Sequence, residues 1–233
     1  MREWELLDHE TVPEDDATVY LMERGGQYAI HVDGRELMAT GPHGSEDALA
    51  DLALDQLAVT GPVHVLVGGL GLGFTLAAVL RRLDEAGRVT VAELLPSVVR
   101  WNREYPRLAR FAGRPLDDPR AIVHIGDVAD LVDTPPVRWS AILLDIDNGP
   151  RSLTRPANGW LYTPEGAGAA FAALAPGGVL AIWSAHPDHA LTDLLAQTGF
   201  AVEMVPYTEE GRPTWDDTGT HIVWLAQRPE ERP

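Results

Sequence analysis

From Pro62 onward the chain alternates short apolar runs with stretches of helical period. "VHVLV" is followed by a predicted helix over Phe74–Leu83, "RVTVAEL" by one from Pro96 to about Phe111, and "AIVHIG" by a helical turn at Asp127–Leu131. "WSAILLDI", a loop and a helix over Thr163–Leu174 come next. "GGVLAIWSA" leads to a helix over Asp188–Thr198, and the chain closes on "FAVEMVPY" and "THIVWLAQ". Strands that alternate with helices specify a parallel sheet covered on both faces by right-handed crossovers. No helix separates the last two strands, so the final one is expected antiparallel to the rest.

Before Pro62 the pattern is different. "ATVYLMERGGQYAIHVDGREL" reads as antiparallel strands that turn at Gly25-Gly26 and at Asp33-Gly34. "GPHGSEDALADLALDQLAV" reads as a helix with Ser45 as its N-cap and Leu49, Leu52, Ala53 and Leu57 on its apolar side. The expected division is a small β appendage over 1–44, an α/β domain over 45–228 and a disordered Pro- and Glu-rich tail over 229–233. A chain of 233 residues is long enough for one such domain and too short for two of full size.

Charge and composition narrow the classes of function. Acidic residues outnumber basic ones 35 to 18, a formal net charge of -17 that would repel a phosphate backbone. Nucleic acid is therefore not an expected partner, whereas a small cation is compatible with the field. There is no cysteine, which removes thiolate nucleophiles, disulfides and cysteine-based zinc sites. The start "MREWELLDHE" lacks the basic and apolar regions of a signal peptide, and no apolar run has the length of a membrane span. A cytoplasmic protein with no membrane partner is the expectation.

The chemistry-bearing residues gather at the ends of the predicted parallel strands. Gly69, Gly71 and Gly73 form GxGxG directly after the first core strand, where a backbone must turn tightly and approach a ligand without a Cβ in the way. No Lys-Ser or Lys-Thr follows, so this is not a P-loop. Glu93 ends the next strand about twenty residues on, a spacing at which a carboxylate accepts both hydroxyls of an adenosine ribose. Asp127, after the third strand, lies where it can cap the following helix, face an adenine amino group, or do both. Asp145 and Asp147 in "AILLDIDNGP" stand two apart and point to one side of an extended chain at the ligand edge of the sheet. Two carboxylates there are costly unless they meet cations or one is protonated. "RPANGWLY" offers Asn158, Trp160 and Tyr162 as a lid or acceptor wall, or as an ordinary aromatic cluster. Trp183 and His186 in "AIWSAHPDH" could face the same pocket or simply pack there. His186 and His189 have no third partner for a metal, and there is no Gly-x-Ser-x-Gly elbow of a hydrolase.

The ordered set "VLVGGLGLG", "VTVAELLPSVVRWNREY", "VHIGDV" and "ILLDIDNGP" resembles the polyamine aminopropyltransferases, the spermidine and spermine synthases, over roughly Val63–Ser184. "AELLPSVV" is its most specific part, and "VDG…SEDAL" is a weaker echo of the family's Tyr-His-Glu segment. The resemblance implies a Rossmann-like class I methyltransferase fold, with a mostly parallel seven-stranded sheet whose last strand is antiparallel. It implies a donor that is S-adenosylmethionine or its decarboxylated form, and no metal. Glu93 with Leu94 would then hold the ribose, Asp127 with Val128 the adenine, and Asp147, ahead of Asp145, would orient and deprotonate an attacking amine. Glu46, Asn158, Tyr162 and Trp183 would face the acceptor. The family forms dimers or tetramers, and the β appendage has an edge that could join two subunits.

Three positions depart from the family pattern. Gly71 stands where the family has an Asp that holds the aminopropyl ammonium, Ser45 stands where it has a His, and the strand-four motif is shorter. An Asp at position 71 would repel the carboxylate of intact S-adenosylmethionine, and the glycine removes that repulsion. Aminopropyl transfer to an amine is the favoured expectation, methyl transfer from S-adenosylmethionine to a small molecule the alternative, and a nucleoside-binding protein without turnover the third.

Overall fold

The computed structural model describes residues 3–12, 17–41, 43–146, 156–208 and 221–230, without the side chains of 156–158. Its centre is a seven-stranded sheet built from β5 (His64–Gly68), β6 (Arg88–Glu93), β7 (Ala121–Ile125), β8 (Trp139–Leu144), β9 (Leu174–Ser184), β10 (Ala201–Tyr207) and β11 (His221–Gln227), in the order β10-β11-β9-β8-β5-β6-β7. β8, β5, β6, β7 and β9 pair in parallel. β11 runs antiparallel to both β10 and β9, as two final strands without a crossover helix require.

Alternate residues of each central strand enter opposite cores, because side chains on an extended chain alternate in direction. Val65, Val67, Val89, Val91, Ala141 and Leu143 join the first core. Leu66, Ala92, Ile142 and Leu144 join the second. The first core is closed by α1 (Gly44–Asp55), α2 (Phe74–Arg82) and α3 (Pro96–Glu104), and the second by α5 (Val128–Asp133), α6 (Pro164–Ala173) and α7 (His189–Thr198). No helix among the described residues is long and apolar enough to cross a membrane.

Side-chain caps set the starts of three helices. Asp127, Thr163 and Asp188 each accept a backbone N–H from the first turn that follows, of α5, α6 and α7 respectively. Two expectations fail locally. The helix expected to run from Pro96 to Phe111 breaks at Tyr105, since Pro106 brings no N–H and restricts the residue before it; a short α4 (Pro106–Ala109) follows. α1 starts at Gly44 after His43, so Ser45 is inside the helix rather than its N-cap, and its Oγ donates to Glu46 Oε2 at 2.6 Å.

The N-terminal strands β1 (Glu5–Thr11), β2 (Thr18–Arg24), β3 (Gln27–Val32) and β4 (Arg35–Ala39) form a separate antiparallel sheet in that order, with β2–β3 and β3–β4 turning at the predicted Gly25-Gly26 and Asp33-Gly34. This sheet is docked on the α/β part. Val19, Leu21, Tyr28 and Ile30 enter the first core beside Leu49 and Trp101. Asp8 of β1 accepts from Trp101 Nε1 at 2.7 Å and from Arg100 at 2.5 Å, and Glu10 accepts the backbone N–H of Ser97 at 2.9 Å. Burial pushes the Asp8 carboxyl up, but the hydrogen bonds from Trp101 and Arg100 outweigh it and hold the group below its ordinary value.

Candidate functional site

A cavity of about 240 Å³ lies between the N-terminal sheet and the C-terminal ends of β5, β6, β7 and β8. In an open parallel sheet this is the edge at which ligands bind. Its floor is the loop after β5. Gly69 has φ +90, its N–H donates to Ala92 O at 2.9 Å, and a Cβ there would lie 2.4 Å from the backbone oxygen of Asp145. Gly71 has φ +49, and its carbonyl accepts from Asn102 Nδ2 at 2.8 Å. Both glycines line the cavity. Gly73, with φ +87, serves as the N-cap of α2 and packs toward Pro115 and Asn102, and it is not among the lining residues.

Glu93 is only 8% exposed and takes backbone N–H groups on both oxygens, from Leu70 at 3.0 Å and from Leu95 at 2.9 Å. Burial pushes its carboxyl above the ordinary value, although N–H groups of Leu95, Leu70, Gly71 and Leu94 all favour the ionised form. Leu94, Asp127 and Val128 line the cavity beside it, and Asp127 Oδ1 accepts the N–H of Ala129 at 2.9 Å.

Asp145 follows β8, and Thr75 Oγ1 donates to its Oδ2 at 2.6 Å. Burial first, and the charge of Glu46 second, push the Asp145 carboxyl up to about 7. Although some of its surface faces the cavity, the group sits among protein atoms on its other sides. Glu46, in the first turn of α1, also lines the cavity, as do Phe74 and Thr75, and the His43 ring stacks on Phe74 at 4.4 Å. Trp183 also lines the cavity, with no hydrogen-bond partner for Nε1 among the described residues and its ring 5.0 Å from that of His221.

The remaining sequence candidates are placed as follows. Asp147 lies outside the described residues, as does the Asn158 side chain. Tyr162, in the 3-10 turn Pro156–Tyr162 before α6, packs with Trp160 against the second core and is not among the described lining residues. His186 and His189 are exposed, and among the described residues no three His, Asp or Glu side chains are grouped as metal ligands.

Three contributors escape a reading by motif. The roof of the cavity is apolar and comes from the N-terminal part of the chain: Val12, Val19, Ile30, Val32, Leu37 and Met38. Thr75 orders Asp145. Tyr207, at the end of β10, is 0% exposed with a hydroxyl that has no partner among the described residues, and burial, then the charge of Asp145, push its pKa far up. Only the alternating apolar residues of β2 and β3 carried a signal, and that signal is the same for a roof as for a plain core.

No protein-family model and no curated protein sequence matches the chain. Solved structures do. The spermidine synthase of Thermotoga maritima superposes with a TM-score of 0.73 at 19% identity, over 97% of this chain and 74% of that one. A spermidine synthase in complex with the transition-state analogue AdoDATO gives 0.75 at 18% identity, again over 97% and 74%. The O-methyltransferase TomG of Streptomyces achromogenes, in complex with SAM, gives 0.51 at 20% identity over 79% of each chain. The chain has the class I methyltransferase fold, preceded by a four-stranded antiparallel sheet.

Proposed function

We propose that the protein is a transferase that binds an adenosyl sulfonium across the ends of β7, β6, β5 and β8 and alkylates an amine, with aminopropyl transfer as the favoured reaction. The observation that carries this reading is the charge of the cavity: Glu46, Glu93, Asp127 and Asp145 line it and no basic side chain among the described residues does. Buried carboxylates without a cation are costly, and a sulfonium with an amine supplies the missing charge. The similarity to spermidine synthases, which extends over the N-terminal sheet, supports the same choice.

Strand order supports one direction for the ligand. With the ribose hydroxyls on Glu93 at the end of β6, using the second lone pair of each oxygen, the adenine reaches Gly126, Asp127 and Val128 beyond β7. The sulfonium then lies over Gly69–Gly71 beyond β5, and the carbon to be transferred faces Asp145 beyond β8. The amine nitrogen attacks that carbon, the carbon–sulfur bond breaks with its electrons leaving on a neutral thioether, and the nitrogen's proton passes to Asp145. A carboxyl with a pKa of about 7 is matched to that task near neutral pH. Asp145, rather than Asp147, is the base we assign, on its place in the cavity. Trp183 offers the acceptor a π face.

Methyl transfer is the second reading, and Gly71 favours it, since the loop puts no carboxylate against an intact methionine tail. The test is incubation with each donor and a panel of diamines and polyamines, with the thioether product followed by mass spectrometry. We expect 5′-methylthioadenosine to accumulate from the decarboxylated donor. Asp145→Asn should slow it by about 10²-fold or more with donor affinity little changed. Donor binding with no thioether from either donor would leave only a nucleoside-binding protein.

A further inference from the structure

We infer that Glu46 is the residue that selects the donor, by holding a positively charged tail that bears no carboxylate; this rests on the adenosyl-sulfonium reading above. Glu46 lines the cavity, as do Gly71, Phe74 and Thr75, and the tail of a donor placed as above extends from the glycine loop toward Asp145, whose Oδ2 accepts from Thr75 Oγ1 at 2.6 Å. It is close enough to Asp145 for its charge to act on that carboxyl. Tyr207, fully buried with an unpartnered hydroxyl, is close enough to feel the charge of Asp145 in turn. Two carboxylates thus share the cavity with no basic side chain in the described lining to balance them.

The other carboxylates are committed. Glu93 is held by backbone N–H groups under the ribose, and Asp127 caps α5 at the far end. Asp145 has to accept the proton of the attacking amine. The glycine loop cannot bring a carboxylate of its own without rearrangement, because a Cβ on Gly71 would lie 2.4 Å from Met38 Sδ. That thioether accepts the N–H of Leu72 at 3.3 Å. Glu46 remains as the counter-charge for the tail. An ammonium tail completes the pair, whereas a tail with an α-carboxylate adds a third negative group to a site with no cation to receive it.

The test is calorimetric titration of the full chain and of Glu46→Gln with decarboxylated S-adenosylmethionine, S-adenosylmethionine and 5′-methylthioadenosine, which has the nucleoside and no charged tail. Wild type should bind the decarboxylated donor at least about tenfold tighter than the intact one. Glu46→Gln should bring the two within about twofold while 5′-methylthioadenosine binds as before, which also shows that the variant is folded. Glu46→Asp should keep part of the preference. Equal binding of the two donors by wild type, or a preference that survives in Glu46→Gln, overturns the assignment of Glu46. If wild type binds none of the three, the adenosyl-sulfonium reading itself falls and takes the assignment with it.

Discussion

Replacing Asp145 by Asn should stabilise the free protein, and increasingly so as pH rises. The variant keeps the shape of the side chain and an acceptor for Thr75 Oγ1, and removes the charge that burial and Glu46 oppose. In the unfolded chain the carboxyl ionises near its ordinary 3.8, and in the folded protein near about 7. A folded pKa above the unfolded one means that folding favours the protonated form, so this contribution is fully present below about pH 4 and is lost as pH climbs to about 7. Between pH 5 and pH 8 the full displacement would cost the wild type about 2.5 kcal/mol. Because part of the side chain faces the cavity and its water, about 1.5 kcal/mol is the lower end of what we expect. Urea unfolding of wild type and Asp145→Asn at pH 5, 6, 7 and 8 measures the difference, and titrating groups that do not interact with Asp145 cancel between the two proteins. A gap that stays flat across this range would refute the claim that Asp145 carries a raised pKa, and with it the matching of this group to proton transfer near neutral pH.

Tyr207→Phe should raise the stability of the ligand-free protein by about 1 kcal/mol, because it removes a buried hydroxyl with no partner among the described residues. A lower melting temperature would mean that the hydroxyl is hydrogen-bonded after all. Gly69→Ala should cost about 2–4 kcal/mol, since its Cβ meets the backbone oxygen of Asp145 at a left-handed φ of +90. Gly71→Ala should cost only about 1–2 kcal/mol, since the obstacle there is the flexible end of Met38. Equal losses in chemical denaturation would contradict this ranking.

The α/β part was legible because its signals are local. The caps at Asp127, Thr163 and Asp188, the glycines after β5 and the carboxylate closing β6 each declare a strand end or a helix start within a few residues. What was not legible depends on distant segments or on opposing local terms. β1 shows mixed burial without clean alternation, because its polar Asp8 and Glu10 are used to dock on α3. Pro106 ended a helix whose apolar period continues through it. Nothing in "LMATG" signals that Met38 will lie over Gly71, since the two meet only when the N-terminal sheet folds against the loop. That Thr75, seventy residues earlier, bonds the Asp145 carboxylate is likewise invisible to a local reading.

The clamp between β1 and α3 also bears on how the chain is made. The N-terminal sheet leaves the ribosome before the elements it docks on, and Trp101 and Arg100, which anchor it through Asp8, follow only after α1, α2 and β6. Over that interval Val19, Leu21 and Ile30 have only part of their core to enter, Leu49 being made before Trp101. An N-terminal sheet made before the α3 that anchors it therefore exposes an apolar β surface during synthesis, the kind of surface that chaperones bind and that aggregates when translation outruns folding.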